Sequence, residues 1–147
     1  MAHSLLFEMA LANSNNLLEG LLNLTYPDGS VIRYRATSGC AGWQRYGDEW
    51  VRGKGPIPAG EKYQIPTLGY WLDTRGVEGL FYHITPDPVV SGSKIRAELG
   101  IHFDANLPGT AGCIGLMNLE GWQGFCRRLS QIAALGVEHL PLTVRYK

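Results

Sequence analysis

Arg96-Ala97-Glu98-Leu99-Gly100-Ile101-His102-Phe103-Asp104-Ala105-Asn106-Leu107-Pro108-Gly109-Thr110-Ala111-Gly112-Cys113-Ile114-Gly115-Leu116 is the stretch around which the chain is organised. A strand-like run over residues 94–103 delivers His102 near its end. A loop of Asn, Pro and Gly follows, and Cys113 stands between Gly112 and Ile114, eleven positions after the histidine. A loop of that length can fold back and bring a thiol to an imidazole. Cys–His pairing makes a nucleophile at neutral pH, because the thiolate attacks and the thiol does not. On residue type alone a structural reading is slightly ahead, since Cys is among the most buried residues and a lone His often serves packing. The setting shifts the balance. Gly112 lets backbone approach closely and offers its N–H to an oxyanion. The small residues Thr110-Ala111-Gly112 leave room for a substrate.

Outward from this stretch the pattern is mostly strand. Downstream, Asn118 reads as an N-cap, and residues 119–135 place Trp122, Phe125, Leu129, Ile132 and Ala133 at helical spacing. Gly136 ends that helix as a C′ residue. Residues 140–146 form a last strand. Upstream, residues 4–11 and 17–26 read as strands. Pro27-Asp28-Gly29 is a turn, and the alternation over residues 30–37 makes a hairpin partner for the second strand. Residues 61–66 and 80–85 are further strands. The count is about seven strands and one helix, a mostly-β domain spanning residues 1–147.

Composition sets outer bounds. The chain has 147 residues, a hydrophobic fraction of 45% and zero formal net charge. That length supports one domain with a real core, and the charge balance gives no basic stripe for nucleic acid. No run reaches the length of a membrane span. The N-terminal apolar run is broken by Glu8 and lacks a basic n-region, so no signal peptide is expected. There are three cysteines, Cys40, Cys113 and Cys126. At least one thiol is therefore unpaired, and Cys40–Cys126 can form a disulfide outside the cytosol. No CxxC occurs and the histidines lack ligand spacing, so a structural zinc site is not expected. Trp43, Tyr46 and Trp50 lie in a long loop, where aromatics serve as packing anchors or as a binding wall.

Taken together, these residues resemble the catalytic domain of the L,D-transpeptidases (YkuD type). That family carries a His at a strand end and, further on, a Ser/Thr-His-Gly-Cys motif. The counterparts are Ile101-His102 and Thr110-Ala111-Gly112-Cys113-Ile114. Ala36-Thr37-Ser38-Gly39 and Gly55-Pro56-Ile57-Pro58-Ala59-Gly60-Glu61-Lys62-Tyr63 are similar to the family's upstream text. Leu116-Met117-Asn118 and the helix fit its continuation. The resemblance covers residues 17–147. Two positions depart from it: Ala111 stands where the family has a second His, and Gly115 where it has an Arg. Arg96 and Arg45 are candidates to replace that Arg.

The resemblance implies a β-sandwich or barrel-like fold with one C-terminal helix, and a cysteine enzyme. In that reading Cys113 is the nucleophile, His102 the base, and the Phe103 carbonyl orients the imidazole. The N–H groups of Gly112 and Cys113 hold the oxyanion. Thr110, Ala111, Gly115, Tyr82 and Trp43 line the substrate site. The substrate is an L-to-D bond in a peptidoglycan stem peptide, cleaved or exchanged through an acyl-enzyme with no cofactor and no metal. The thiol is expected to titrate low and to alkylate readily. Activity would lie in the periplasm or cell wall, with delivery by a specialised secretion route or a phage particle. The departures at Ala111 and Gly115 favour an alternative, a binding or virion-structural module on the same fold. Oligomerisation is left open.

Overall fold

The computed structural model describes residues 2–73, 79–104 and 109–147. Among the described residues, nine strands join one mixed sheet. In chain order they are β1 (Ser4–Met9), β2 (Gly20–Thr25), β3 (Val31–Ser38), β4 (Gly60–Pro66), β5 (Tyr70–Leu72), β6 (Gly79–His83), β9 (Gly100–Phe103), β10 (Ile114–Leu116) and β11 (His139–Tyr146). Two more, β7 (Val89–Ser91) and β8 (Lys94–Arg96), pair only with each other. The order across the sheet is β4-β11-β1-β2-β3-β10-β9-β6-β5. The sheet curls. Gln64 in edge strand β4 exchanges both backbone hydrogen bonds with Thr85, just beyond β6, at 2.9 and 3.0 Å. Strands near opposite ends of the order therefore meet, and the architecture is mostly β with one helix near the C-terminus.

The local chemistry explains the elements. Leu5, Phe7 and Met9 alternate inward along β1. The β2–β3 hairpin turns at Pro27-Asp28-Gly29. There the Asp28 carboxylate accepts from the Ser30 N–H at 2.9 Å and its hydroxyl at 2.6 Å, and Gly29 takes a φ of +89° that suits glycine. Helix α1 (Leu119–Ala134) starts at Asn118, whose side chain accepts from the Gly121 N–H at 2.6 Å, and Gly136 follows it at φ +91°. Trp122, Phe125, Leu129 and Ile132 face inward and join one buried cluster with Ile65, Ile101, Ile114 and Leu142. Each such side chain contributes roughly 1.5–3 kcal/mol on burial.

The described residues form eleven strands rather than about seven. Three of the additions, β5, β7 and β10, have three residues each, too short for a periodic signal. The expected strand over residues 94–103 is also two strands. Arg96 turns its guanidinium inward, Leu99 enters the core, and the chain bends between them at Glu98, at φ +58°. Pairing resumes only at Gly100.

Candidate active site

Strands β9 and β10 run parallel, with Ile101 opposite Ile114 and His102 opposite Gly115. The two isoleucines face the core and are fully buried. Alternation then puts His102 and Gly115 on the other face, and Cys113, one step before β10, shares that face. This brings the predicted thiol and imidazole onto adjacent strands, diagonal to one another. No residue wider than glycine fits at position 100. A Cβ there would lie 2.1 Å from the Phe81 ring, which stacks against the His102 imidazole at 6.3 Å between centroids.

His102 is almost entirely buried, and its Nδ1 lies 2.9 Å from the Phe103 carbonyl oxygen. A carbonyl only accepts, so Nδ1 carries the proton and Nε2 is left as the basic nitrogen. Burial pushes the imidazole down from its ordinary value, and the Phe103 carbonyl and the Asp104 carboxylate oppose that. Asp104 is itself raised by burial and accepts from the Gly109 N–H at 2.9 Å. It thus ties together the two ends of the loop whose Ala105, Asn106, Leu107 and Pro108 lie outside the described residues.

Cys113 is 9% exposed. Its thiol donates to the Glu98 carbonyl at 3.8 Å. Burial pushes the thiol up to about 11, opposed by the Gly100 N–H and the Arg96 guanidinium. This corrects the expectation of a low-titrating thiol: burial favours a protonated Cys113 and a neutral His102 on the same sheet face. A thiol held protonated in this way can act as a nucleophile only if its proton is transferred as it attacks.

The loop before Cys113 is built on Thr110 and Arg96. The Thr110 hydroxyl accepts from the N–H groups of Gly39 at 3.0 Å and Gly112 at 3.2 Å, and donates to the Cys113 carbonyl at 2.6 Å. Arg96 is 2% exposed, and among the described residues its partners are carbonyls only. It donates to those of Pro56 at 3.0 Å, Gly55 at 3.1 Å, Ala111 at 2.9 Å and also Glu49. A Cβ on Gly112 would meet Arg96 Nη2 at 2.1 Å, so the guanidinium lies directly beneath the loop.

Several predicted site residues have other work here. The Gly112 N–H is already held by the Thr110 hydroxyl. Thr110 is a buried fastener rather than a binding residue. Ala111 is exposed, but its carbonyl is taken by Arg96. Gly115 is buried, and a Cβ would lie 2.9 Å from Thr110 Cγ2 and 3.0 Å from Asp104 Cβ, so no arginine fits there. Tyr82 points away from the site. Its neighbours Phe81 and His83 take the cleft face, and Tyr82 packs edge-on against Trp122 and Phe125 at 5.9 and 5.6 Å. Trp43 lies under the Lys54 ammonium, 4.9 Å from its ring centre, and does not line the cleft. Arg45 pairs with Asp48 at 3.1 Å. All three thiols are unpaired; Cys40 donates to the Thr110 carbonyl at 3.2 Å, and Cys126 sits in α1.

Cys113 opens on a cavity of about 400 Å³ lined by Tyr70, Leu72, Phe81, His83, Asp87 and Glu98. His83 Nε2 is 2.7 Å from Asp87 Oδ2. Reading from the sequence found neither Asp87 nor Glu98. The Pro-Asp-Pro around Asp87 signals a strand end, and nothing local ties it to a cysteine 26 positions on. Among the described residues, no group of three or more His, Cys, Asp or Glu could hold a metal ion, and no helix is long and apolar enough to cross a membrane. Comparison with family models, curated proteins and solved structures finds no match to this chain.

Proposed function

We propose that this chain is a cysteine-dependent acyl-transfer enzyme acting on an L-to-D peptide bond of a peptidoglycan stem. One observation carries the reading: a thiol at the floor of an open cavity shares a sheet face with an imidazole whose Nδ1 is tied to a backbone carbonyl. His102 Nε2 takes the Cys113 proton as the sulfur attacks the scissile carbonyl carbon. The tetrahedral intermediate collapses, the C–N bond breaks, and His102 returns the proton to the leaving amine. The thioester is resolved by the amine of a second stem or by water, giving transpeptidase, carboxypeptidase or endopeptidase activity. The substrate class and a site of action in the periplasm or cell wall are what the resemblance of the sequence to the L,D-transpeptidases implies.

A second reading, a binding or virion-structural module on this fold, is favoured by two features. The Cys113 thiol is pushed up to about 11, and the Gly112 N–H is already bonded to Thr110. One experiment separates the readings. Defined disaccharide tetra- and pentapeptides containing diaminopimelate are incubated with wild type and with Cys113→Ala, and the products weighed by mass spectrometry. Loss or exchange of the terminal D-alanine, or cleavage of a stem bond, only when Cys113 is present supports the enzyme. Unchanged substrate with a folded wild-type protein supports the module.

A further inference from the structure

One wall of the cavity holds a continuous line of contacts from His83 to the sulfur. His83 Nε2 lies 2.7 Å from Asp87 Oδ2. Both Asp87 oxygens accept from the Glu98 backbone N–H, each at 3.3 Å. The carbonyl of the same Glu98 accepts the Cys113 thiol at 3.8 Å. Glu98 is the only non-glycine residue with positive φ among the described residues. A left-handed backbone is unfavourable for a residue with a Cβ, so the surrounding structure must hold it.

We propose that Asp87, anchored by His83, is a positioning residue for Cys113. Clamping the Glu98 N–H fixes the peptide plane before that residue and supports the positive φ from which its carbonyl reaches the sulfur. Two consequences follow. The Cys113 side chain is confined to one direction, facing the cavity. The thiol also has an acceptor that favours its protonated form, until substrate displaces it. Without the carboxylate, Glu98 relaxes toward negative φ and its carbonyl leaves the sulfur. The catalytic meaning of this clamp rests on Cys113 being the nucleophile; the clamp itself is measurable without any substrate.

The test is iodoacetamide alkylation of the full chain at pH 8.5, followed cysteine by cysteine with peptide mass spectrometry. Asp87→Ala is expected to speed alkylation of Cys113 by roughly three- to tenfold, the thiol losing its acceptor, while Cys40 stays at its wild-type rate as an internal control. Asp87→Asn retains an oxygen for the Glu98 N–H and is expected within about twofold of wild type. If Asp87→Ala does not fold, His83→Ala removes the anchor and is expected to change Cys113 in the same direction. On stem peptides, Asp87→Ala is expected to lower kcat with KM unchanged. A Cys113 rate within about twofold of wild type in folded Asp87→Ala overturns the proposal. So does a parallel rise at Cys40, which marks general loosening, or an Asp87→Asn variant that behaves like Asp87→Ala. Absence of turnover by wild type, with the alkylation pattern as expected, refutes the enzyme reading and leaves the clamp standing.

Discussion

Replacing Arg96 by Met tests how the Cys113 loop is held. Methionine keeps much of the length and volume but none of the donors. The guanidinium donates to four carbonyls, those of Glu49, Gly55, Pro56 and Ala111, at a site where the side chain is 2% exposed. Those carbonyls come from two segments far apart in sequence, residues 49–56 and the loop before Cys113. Hydrogen bonds to a charged donor are worth roughly 1.5–3 kcal/mol each, and a buried acceptor left bare costs about 1–3 kcal/mol. The gain from no longer burying a cation offsets part of this. A net loss of about 4 kcal/mol is expected, a large share of the ~5–15 kcal/mol typical of a domain. At 2–4 °C per kcal/mol for a chain near this size, Tm falls by about 8–16 °C. Arg96→Lys is expected to recover little, since one ammonium cannot span four carbonyls. Thermal and urea unfolding of the three proteins supply the numbers. A loss below about 1 kcal/mol in Arg96→Met would refute the assignment of Arg96 as the clasp between these segments.

Other predictions follow from the same geometry. With its thiol pushed up to about 11, Cys113 should alkylate about tenfold slower than a free cysteine near pH 7.5 and show a titration midpoint near 11; a midpoint below 8.5 contradicts the burial argument. His102 is buried neutral and titrates lower when folded, so the unfolded chain binds more protons as pH falls through about 6.5, and stability falls with it. Asp104, raised by burial, acts with opposite sign in the carboxylate range. His102→Gln should flatten the Tm slope between pH 7 and 5, and an unchanged slope counts against the histidine as its source. Gly112→Ala, at φ +134° with 2.1 Å to Arg96 Nη2, and Gly115→Ala, with 2.9 Å to Thr110, should each cost about 1–3 kcal/mol by denaturant titration. Unchanged midpoints would mean that the loop relaxes freely.

Much of the fold was legible because its signals are local. Pro27-Asp28-Gly29 names the hairpin turn, and Asn118 and Gly136 bracket the helix with the cap chemistry the structure displays. The placement of the candidate residues was legible where one strand and one loop determine it: His102 meets the Phe103 carbonyl, and the β9–β10 register puts Cys113 on the same sheet face. It was illegible where faces or distant partners decide. Leu80-Phe81-Tyr82-His83 is apolar or aromatic on both sides, so the pattern could not say that Phe81 and His83 face the cleft and Tyr82 the helix. The bend at Glu98 depends on Asp87, eleven residues away, and on Arg96 finding carbonyls on another segment. The Gly112 N–H looked available because the sequence does not reveal that the Thr110 side chain turns back to accept it.

The central claim is that Cys113 carries an acyl group during turnover. Intact-protein mass spectrometry after brief mixing with a disaccharide tetrapeptide measures this directly. The account predicts an adduct equal to the stem minus its terminal D-alanine, localised to Cys113, accumulating in wild type and absent from Cys113→Ala. It also predicts that His102→Gln forms the adduct at least about a hundredfold more slowly. A folded wild-type protein that never gains that mass, at stem concentrations where binding is demonstrated, would contradict the account and identify the cavity as a binding site without acyl transfer.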